Sequence, residues 1–330
     1  MKYMIICIII IIVIIASITY GGNYFYNLAI NPAISKDKVF GSDEDKEDDK
    51  VKLEETSGED TKEDKEWIIK HSGYKDLYVT SVDNLKLHAY EIKNSIQCHK
   101  WTIVVHGYCS EGNTMGSRAK VFYELGHNVI IPDLRGHGQS EGHYIGMGWH
   151  DRQDILTWIN YIIKQDKNSE IILYGISMGA STVMMTCGEE LPSNVKVAVE
   201  DCGYTSAWDE FSYQLRLLFK MPKFPIMNFA SIVTKIRAGY DFKQASALKQ
   251  VAKSKIPILF IHGSNDDFVP YSMRDKLYAA ANCEKQRLTI EGAAHCKSYI
   301  VDSKLYWSTI INFIDKYVLL EEVSKDSDVL

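Results

Sequence analysis

The 330-residue sequence lacks the cysteine spacing of a disulfide framework or of a zinc site. Its seven cysteines are odd in number and none belongs to a C-x-x-C pair, so we expect most of them to be small buried hydrophobic residues. A basic stripe and an aromatic-rich RNA-binding motif are also missing. Because the net charge is −6, nucleic acid is not an expected partner.

Charged side chains are absent from residues 3 to 35, where Met4–Ile18 is an almost pure Ile and Val run. This run predicts a membrane anchor over residues 1–26, with Tyr24–Tyr26 as an interfacial aromatic belt. A cleaved signal peptide is the alternative. No A-x-A cleavage site follows, which favours the anchor. Lys2 precedes the span and acidic residues follow it, so the positive-inside tendency predicts an extracellular catalytic part.

Residues 27–66 have the composition of a linker. Between positions 43 and 66 there are 13 acidic residues against 5 lysines, and such segments stay solvated because they cannot bury enough apolar surface. Their spacing matches no EF-hand loop. We therefore expect an acidic disordered linker here, followed by one folded domain over residues 67–330.

The folded part is predicted to open with a β-hairpin and to continue as alternating strands and helices. The hairpin comprises Asp76–Ser81 and Lys86–Ile92. Apolar strands that alternate with helices predict a mostly parallel sheet covered by helices on both faces, with ligands beyond the carboxyl ends of the strands. The expected strands are Trp101–Val105, Asn128–Pro132, Ile171–Tyr174, Val195–Val199, Pro257–Ile261 and Arg287–Ile290; the expected helices are Met115–Leu125, Trp149–Ile163, one from Met178, Tyr271–Ala281 and Ser303–Val318.

A G-x-S-x-G motif, Gly175–Gly179, follows one of these strands and precedes a helix. This is the form of a nucleophile elbow, in which Ser177 occupies a tight turn with its hydroxyl above the sheet edge. The flanking glycines avoid collisions with neighbouring backbone. The N–H of Met178, at the helix N-terminus, is a predicted oxyanion donor.

Ser177 needs a base, and His295 lies in a loop of small residues after another strand. Asp266, also after a strand, is the first candidate to orient this imidazole, with Asp267 second and Asp201 third. The chain order Ser, Asp, His is that of hydrolase elbows. The second oxyanion donor is expected to be the N–H of Tyr108, after the first parallel strand. His106 in the same turn is expected to be structural.

An insertion over about residues 203–242 is predicted to form a small helical cap. Its apolar residues Tyr204, Trp208, Phe211, Leu215 and Leu218 recur at helical spacing. Two interpretations are equally supported: a lid whose apolar underside contacts the substrate, or a helix pair that only packs on the sheet. On the first, Tyr204, Trp208 and Phe211 are substrate-pocket candidates, and the substrate is hydrophobic.

The chain from about Trp67 to Leu320 resembles serine hydrolases of the α/β-hydrolase superfamily. The resemblance rests on His106-Gly107-Tyr108, the loop Asp133–Ser140, the elbow, and the loops of Asp266 and His295. With its apolar N-terminus the chain also resembles membrane-anchored cell-surface hydrolases of Gram-positive bacteria and the ABHD- and Bem46-like proteins. The resemblance implies an α/β-hydrolase fold and a structural role for Asp133–Ser140, with His137 not catalytic.

These features together predict a membrane-anchored enzyme that cleaves a small-molecule carboxylic ester through an acyl-enzyme, with Ser177, His295 and Asp266 as the triad. No metal or organic cofactor is expected. A prolyl-oligopeptidase-like peptidase is the rival enzyme, although the residues before Trp67 are too few for a propeller. A non-catalytic surface binding protein on a hydrolase scaffold is the rival from another class.

Overall fold

A computed structural model describes residues 2–36, 62–95 and 98–318. Most of the acidic stretch predicted as a linker lies outside these residues. At the N-terminal side the described helices are α1 (Lys2–Ser17), α2 (Asn23–Ala29) and α3 (Lys62–Glu66), with π-helical turns at Ile18–Gly22 and Trp67–His71.

The described residues form an eight-stranded mixed sheet in the order β1-β2-β4-β3-β5-β6-β7-β8. The hairpin of β1 and β2 is antiparallel, and β2 pairs antiparallel with β4, whereas all pairs from β4 to β8 are parallel. The predicted, mostly parallel sheet is confirmed. The strands are β1 (Lys75–Thr80), β2 (Lys86–Ile92), β3 (Lys100–Val105), β4 (Asn128–Pro132), β5 (Glu170–Ile176), β6 (Val195–Asp201), β7 (Ile258–Gly263) and β8 (Lys285–Ile290).

Helices cover both faces of the sheet, because successive side chains along its central strands alternate between two hydrophobic cores. Leu173 of β5 belongs to one core, whereas its neighbours Ile172 and Tyr174 belong to the other. The remaining helices are α4 (Gly116–Glu124), α5 (Asp151–Gln165), α6 (Met178–Cys187), α7 (Ala207–Phe219), α8 (Ile226–Ala238), α9 (Ala247–Val251), α10 (Ser272–Ala280), α11 (Ser298–Val301) and α12 (Ser303–Ile314).

The predicted helices all occur, with shifted ends. The region expected to start at Met115 begins as a 3-10 turn, Gly112–Met115, and becomes α-helical at Gly116. The short helices α9 and α11 were not predicted, since one turn of helix carries too few residues to show a period.

Two helices, α7 and α8, occupy the predicted cap insertion, which lies between β6 and the short helix α9. The Ser206 side chain caps α7 by accepting a hydrogen bond from the Asp209 N–H, at 3.0 Å. The helix ends at Lys220 in left-handed conformation, and prolines in the following loop prevent its continuation. We call α7, α8 and the loop 220–225 between them the cap.

The N-terminal part of the chain extends into the folded domain, which corrects the expected boundaries. A helical stretch over Lys2–Ala29 is long and apolar enough to cross a membrane, as a signal sequence near the N-terminus also is. Residues 27–36, expected to belong to the linker, instead pack on the domain: Ile30 is fully buried and its carbonyl accepts the Ile145 N–H at 2.8 Å. Tyr26, expected in an interfacial belt, is also buried.

Candidate active site

Ser177 lies on a strained turn between β5 and α6. Its φ of 52° and ψ of −118° are unusual for a residue with a side chain. The two flanking glycines are required by close contacts: a Cβ on Gly175 would lie 2.4 Å from the carbonyl oxygen of Gly179, and one on Gly179 would lie 2.2 Å from that of Val105. The motif therefore folds as an elbow because only glycine fits on either side.

Three side chains that follow different strands meet at the carboxyl edge of the sheet. His295 Nε2 lies 2.9 Å from Ser177 Oγ, and His295 Nδ1 lies 2.8 Å from Asp266 Oδ2. All three residues are buried. A hydroxyl, an imidazole and a carboxylate in this sequence of hydrogen bonds can move a proton off the hydroxyl.

The charge of Asp266 controls the imidazole. Burial favours the neutral ring, but the Asp266 carboxylate together with Cys296 outweighs burial and raises the pKa of His295 well above its usual value. In return, although burial acts in the opposite direction, His295 and His262 hold the pKa of Asp266 far below its usual value. The His262 contribution was not predicted: its Nε2 lies 3.1 Å from Asp266 Oδ2.

The other two candidate acids do not contact His295. Asp267 is exposed, and its carbonyl accepts a hydrogen bond from the Tyr213 hydroxyl. Asp201 is buried and accepts the Tyr306 hydroxyl at 2.9 Å, while burial raises its pKa to about 7. Of the three predicted acids, the structure brings only Asp266 to the imidazole.

The two predicted oxyanion donors lie on loops that flank Ser177. Met178 is the first residue of α6, so its N–H has no acceptor within the helix. Tyr108 lies in the turn after β3, and its side-chain hydroxyl donates to the carbonyl of Ala29 at 2.7 Å. In the same turn His106 Nδ1 donates to the Gly107 carbonyl, and Nε2 accepts the Leu134 N–H, so both ring nitrogens are used structurally.

The Asp133–Ser140 loop is fixed by its own carboxylate. Asp133 accepts the N–H groups of Gly112 and Gln139, at 2.6 and 2.8 Å, and also contacts His88 Nδ1 at 2.7 Å. His137 is buried, and its Nδ1 donates to the Arg135 carbonyl. These contacts are those of a structural turn.

An apolar pocket opens beside Ser177 and is walled by the cap. Tyr204 and Phe211 line it as predicted, but Trp208 does not. Trp208 instead packs under the Lys243 ammonium, 4.4 Å from its ring centroid. Trp208 lies on a different face of α7 from the residues that line the pocket. The pocket-lining residues of α7 are Glu210, Phe211, Gln214, Leu215, Leu218 and Phe219.

Two polar residues in this wall were not predicted. Glu210 Oε1 accepts the Gln214 amide at 2.9 Å, while Glu210 Oε2 is buried without a partner among the described residues. Burial raises the pKa of Glu210 to about 8, so the carboxyl is largely protonated at neutral pH. Glu210 and Gln214 were hard to predict as pocket residues from the sequence, because a Glu and a Gln one turn apart usually mark the solvent face of a helix.

Two buried thiols also lie next to the imidazole. The Sγ atoms of Cys202 and Cys296 are 3.3 Å apart, and with His295 they place three potential metal ligands within 4.8 Å of one another. Both ring nitrogens of His295 already have hydrogen-bond partners. A metal ion bound here would therefore compete with the contacts to Ser177 or Asp266.

This arrangement of sheet, elbow and helices defines the class of fold: the chain has an α/β-hydrolase fold. Residues 97–218 match the family model described as serine aminopeptidase, S33. The fold is that of the esterase Pf2001 of Pyrococcus furiosus, which is 22% identical and superimposes with a TM-score of 0.60 over 74% of this chain and 90% of the esterase.

Two relatives are similar over most of their length. The uncharacterized protein YqkD of Bacillus subtilis is 28% identical over 214 residues, which is 64% of this chain and 70% of the relative. The α/β-hydrolase domain-containing protein WAV2 of Arabidopsis thaliana is 25% identical over 252 residues, 74% of this chain and 79% of the relative. These similarities support a hydrolase.

Proposed function

We propose that this chain is a serine hydrolase that cleaves carboxylic esters through an acyl-enzyme. The observation that carries the proposal is the hydrogen-bonded series Ser177, His295, Asp266, with distances of 2.9 and 2.8 Å, at the mouth of an apolar pocket. The similarity to an esterase in fold adds support.

In the proposed mechanism the Ser177 hydroxyl attacks the ester carbonyl while His295 Nε2 accepts its proton. The backbone N–H groups of Met178 and Tyr108 hold the resulting oxyanion, and loss of one such donor typically costs about 2.7–4 kcal/mol of transition-state stabilisation. The imidazolium then protonates the departing alcohol. Water attacks the acyl-enzyme by the same steps, which releases the acid and restores Ser177.

A fluorophosphonate probe tests the nucleophile. We expect the wild-type chain to be labelled and Ser177→Ala to be unlabelled, because the probe forms a bond to an activated serine oxygen. Ser308→Ala on α12 is the matched control and should label like wild type, since the exposed Ser308 hydroxyl donates to the Leu305 carbonyl of its own helix. Equal labelling of wild type and Ser177→Ala would exclude this nucleophile.

A peptidase is the second candidate, because the matching family model is described as a serine aminopeptidase. A panel of p-nitrophenyl esters of increasing acyl length, run beside aminoacyl p-nitroanilides, separates the two. Faster turnover of the esters supports an esterase, and faster turnover of the anilides supports a peptidase. No turnover of either would support a non-catalytic binding protein.

For localisation we propose a single-pass membrane protein with its catalytic part outside the cell. The support is the apolar helix Lys2–Ala29 with Lys2 at one end. Protease treatment of intact cells should cleave the catalytic part from outside. Full protection of that part would support the opposite orientation.

A further inference from the structure

The apolar N-terminal helix also forms part of the pocket wall. Phe25, Leu28 and Ala29 of α2 line the same pocket as Ser177. The Phe25 ring meets that of Phe219, at the end of α7, edge to face with centroids 5.9 Å apart. One helical stretch is thus both apolar enough to cross a membrane and in contact with the proposed site.

The freely projecting part of this stretch is short for a membrane span. Packing on the cap is established at the π-helical turn Ile18–Gly22, where Gly22 is buried against Phe229 and Val233 of α8. The helix before it, Lys2–Ser17, has 16 residues and therefore rises about 24 Å. A bilayer core is about 30 Å thick. A bilayer core centred on the helix Lys2–Ser17 would extend roughly 3 Å beyond Ser17, to the π-helical turn that packs on the cap.

The cap exposes large apolar side chains on α8 and in the loop 220–225. Ile232 and Ile236 lie one helical turn apart on α8, beside the row that contacts Gly22, and Ile236 is 76% exposed. In the loop 220–225 Phe224 is 73% exposed and Met221 is 42% exposed. We call Met221, Phe224, Ile232 and Ile236 the apolar cap surface.

Basic residues surround the apolar cap surface. Between positions 211 and 240 the sequence has five basic residues and no acidic one, although the whole chain carries a net charge of −6. Within the described part of the chain, none of the ion pairs involves these five. Their charges complement anionic lipid headgroups. They are Arg216, Lys220, Lys223, Lys235 and Arg237.

We propose that the apolar cap surface lies in the interface of a bilayer containing anionic lipid, and that the substrate is an acyl ester drawn from that bilayer. An acyl chain that passes from lipid into this pocket exchanges one apolar environment for another, so its methylene groups need not be exposed to water. The claim about the substrate rests on the proposed hydrolase function. The claim that the apolar cap surface contacts lipid does not, because that contact needs no catalysis.

Quenching by brominated lipid tests the contact in the full chain with Ser177→Ala, reconstituted into phosphatidylcholine–phosphatidylglycerol vesicles. Tryptophan is introduced as Phe224→Trp or Ile236→Trp, and the signal of the six native tryptophans is subtracted. Leu125→Trp is the control, since Leu125 is exposed and lies just before β4, at the amino-terminal ends of the parallel strands, opposite the carboxyl ends where Ser177 lies. We expect quenching at 224 and 236 but not at 125. Equal signals at all three positions would overturn the proposal.

Kinetics test the source of the substrate. The double variant Phe224→Asp with Ile236→Asp should lower kcat/KM for a long-chain ester embedded in vesicles by about tenfold or more, because it places two charges in the interface. Hydrolysis of soluble p-nitrophenyl acetate should stay within about twofold of wild type, as should both activities of Leu125→Asp. An equal loss on both esters would contradict delivery from the bilayer. Quenching without hydrolysis of either ester would contradict the proposed function alone.

Discussion

At the scale of single residues, the contact between His295 and Asp266 decides when the imidazole can act as a base. The imidazole must be neutral to accept a proton from Ser177, and the Asp266 carboxylate raises its pKa. Activity is therefore expected to rise with pH as His295 loses its proton, at a pH above the usual value for histidine.

Asp266→Asn should lower kcat by about 10³ to 10⁴, because the amide no longer stabilises the imidazolium or selects the required tautomer. It should also move the acid limb of the pH–rate profile to lower pH, since the charge that raises the pKa of His295 is gone. Asp267→Asn is the matched control, one residue away and exposed. A comparable loss in this control would show that the acid has been misassigned.

Glu210 links the pocket to the pH dependence of stability. Burial raises the pKa of Glu210 to about 8. At pH values between the ordinary pKa of glutamate and 8, the unfolded chain therefore releases a proton that the folded chain retains. The free energy of unfolding therefore falls as pH rises across this interval.

Glu210→Gln removes that ionisable group and keeps the shape and the contact with Gln214. We expect the variant to be more stable than wild type at pH 8, by up to about 4 kcal/mol, and the difference to shrink towards pH 5. Thermal or urea denaturation at the two pH values measures it. Exposed Glu291→Gln is the control. A difference independent of pH would exclude ionisation of Glu210 as its cause.

At the scale of elements, α7 presents one row of side chains to the pocket and another away from the pocket. Phe211 lines the pocket and meets the Phe242 ring at 5.0 Å, whereas Trp208 packs under Lys243. Trp208 and Phe211 lie less than one helical turn apart, so comparing their alanine variants tests whether the pocket-facing row of α7 binds the substrate.

Phe211→Ala should raise KM for long-chain p-nitrophenyl esters by about tenfold, because part of the apolar wall is lost. Trp208→Ala should change KM by no more than about twofold. The octanoate-to-acetate ratio of kcat/KM measures the effect independently of enzyme concentration. If both variants alter that ratio equally, the pocket does not bind the acyl chain.

The strands were predictable from sequence because parallel strands are buried on both faces and read as continuous apolar runs. Ser177, Asp266 and His295 could be proposed as one site because each follows such a strand. The orientation of α7 could not be predicted, since helical spacing identifies an apolar face but does not show which part of the protein that face contacts. Trp208 and Phe211 satisfy the same period, yet only Phe211 reaches the pocket.

At the scale of the whole molecule, the domain boundary was the least predictable feature. Hydropathy does not distinguish apolar residues that face lipid from those that face a protein core, so Tyr26 and Ile30 were assigned to an anchor and a linker. In the structure both are buried and belong to the same hydrophobic core as α8. The N-terminal helical stretch is therefore part of the folded domain at its carboxyl end.

Two truncations test this boundary. A chain that begins at Ile18 keeps Tyr26, Ile30 and the pocket wall, and should retain the stability and soluble-ester activity of the full chain in detergent. A chain that begins at Asn31 loses two buried side chains, worth about 1.5–3 kcal/mol each, and should melt roughly 5–15 °C lower. It should also lose preference for long acyl chains, because Phe25, Leu28 and Ala29 no longer close the pocket. Identical melting temperatures and acyl preferences for the two chains would show that the helix contributes nothing to the domain.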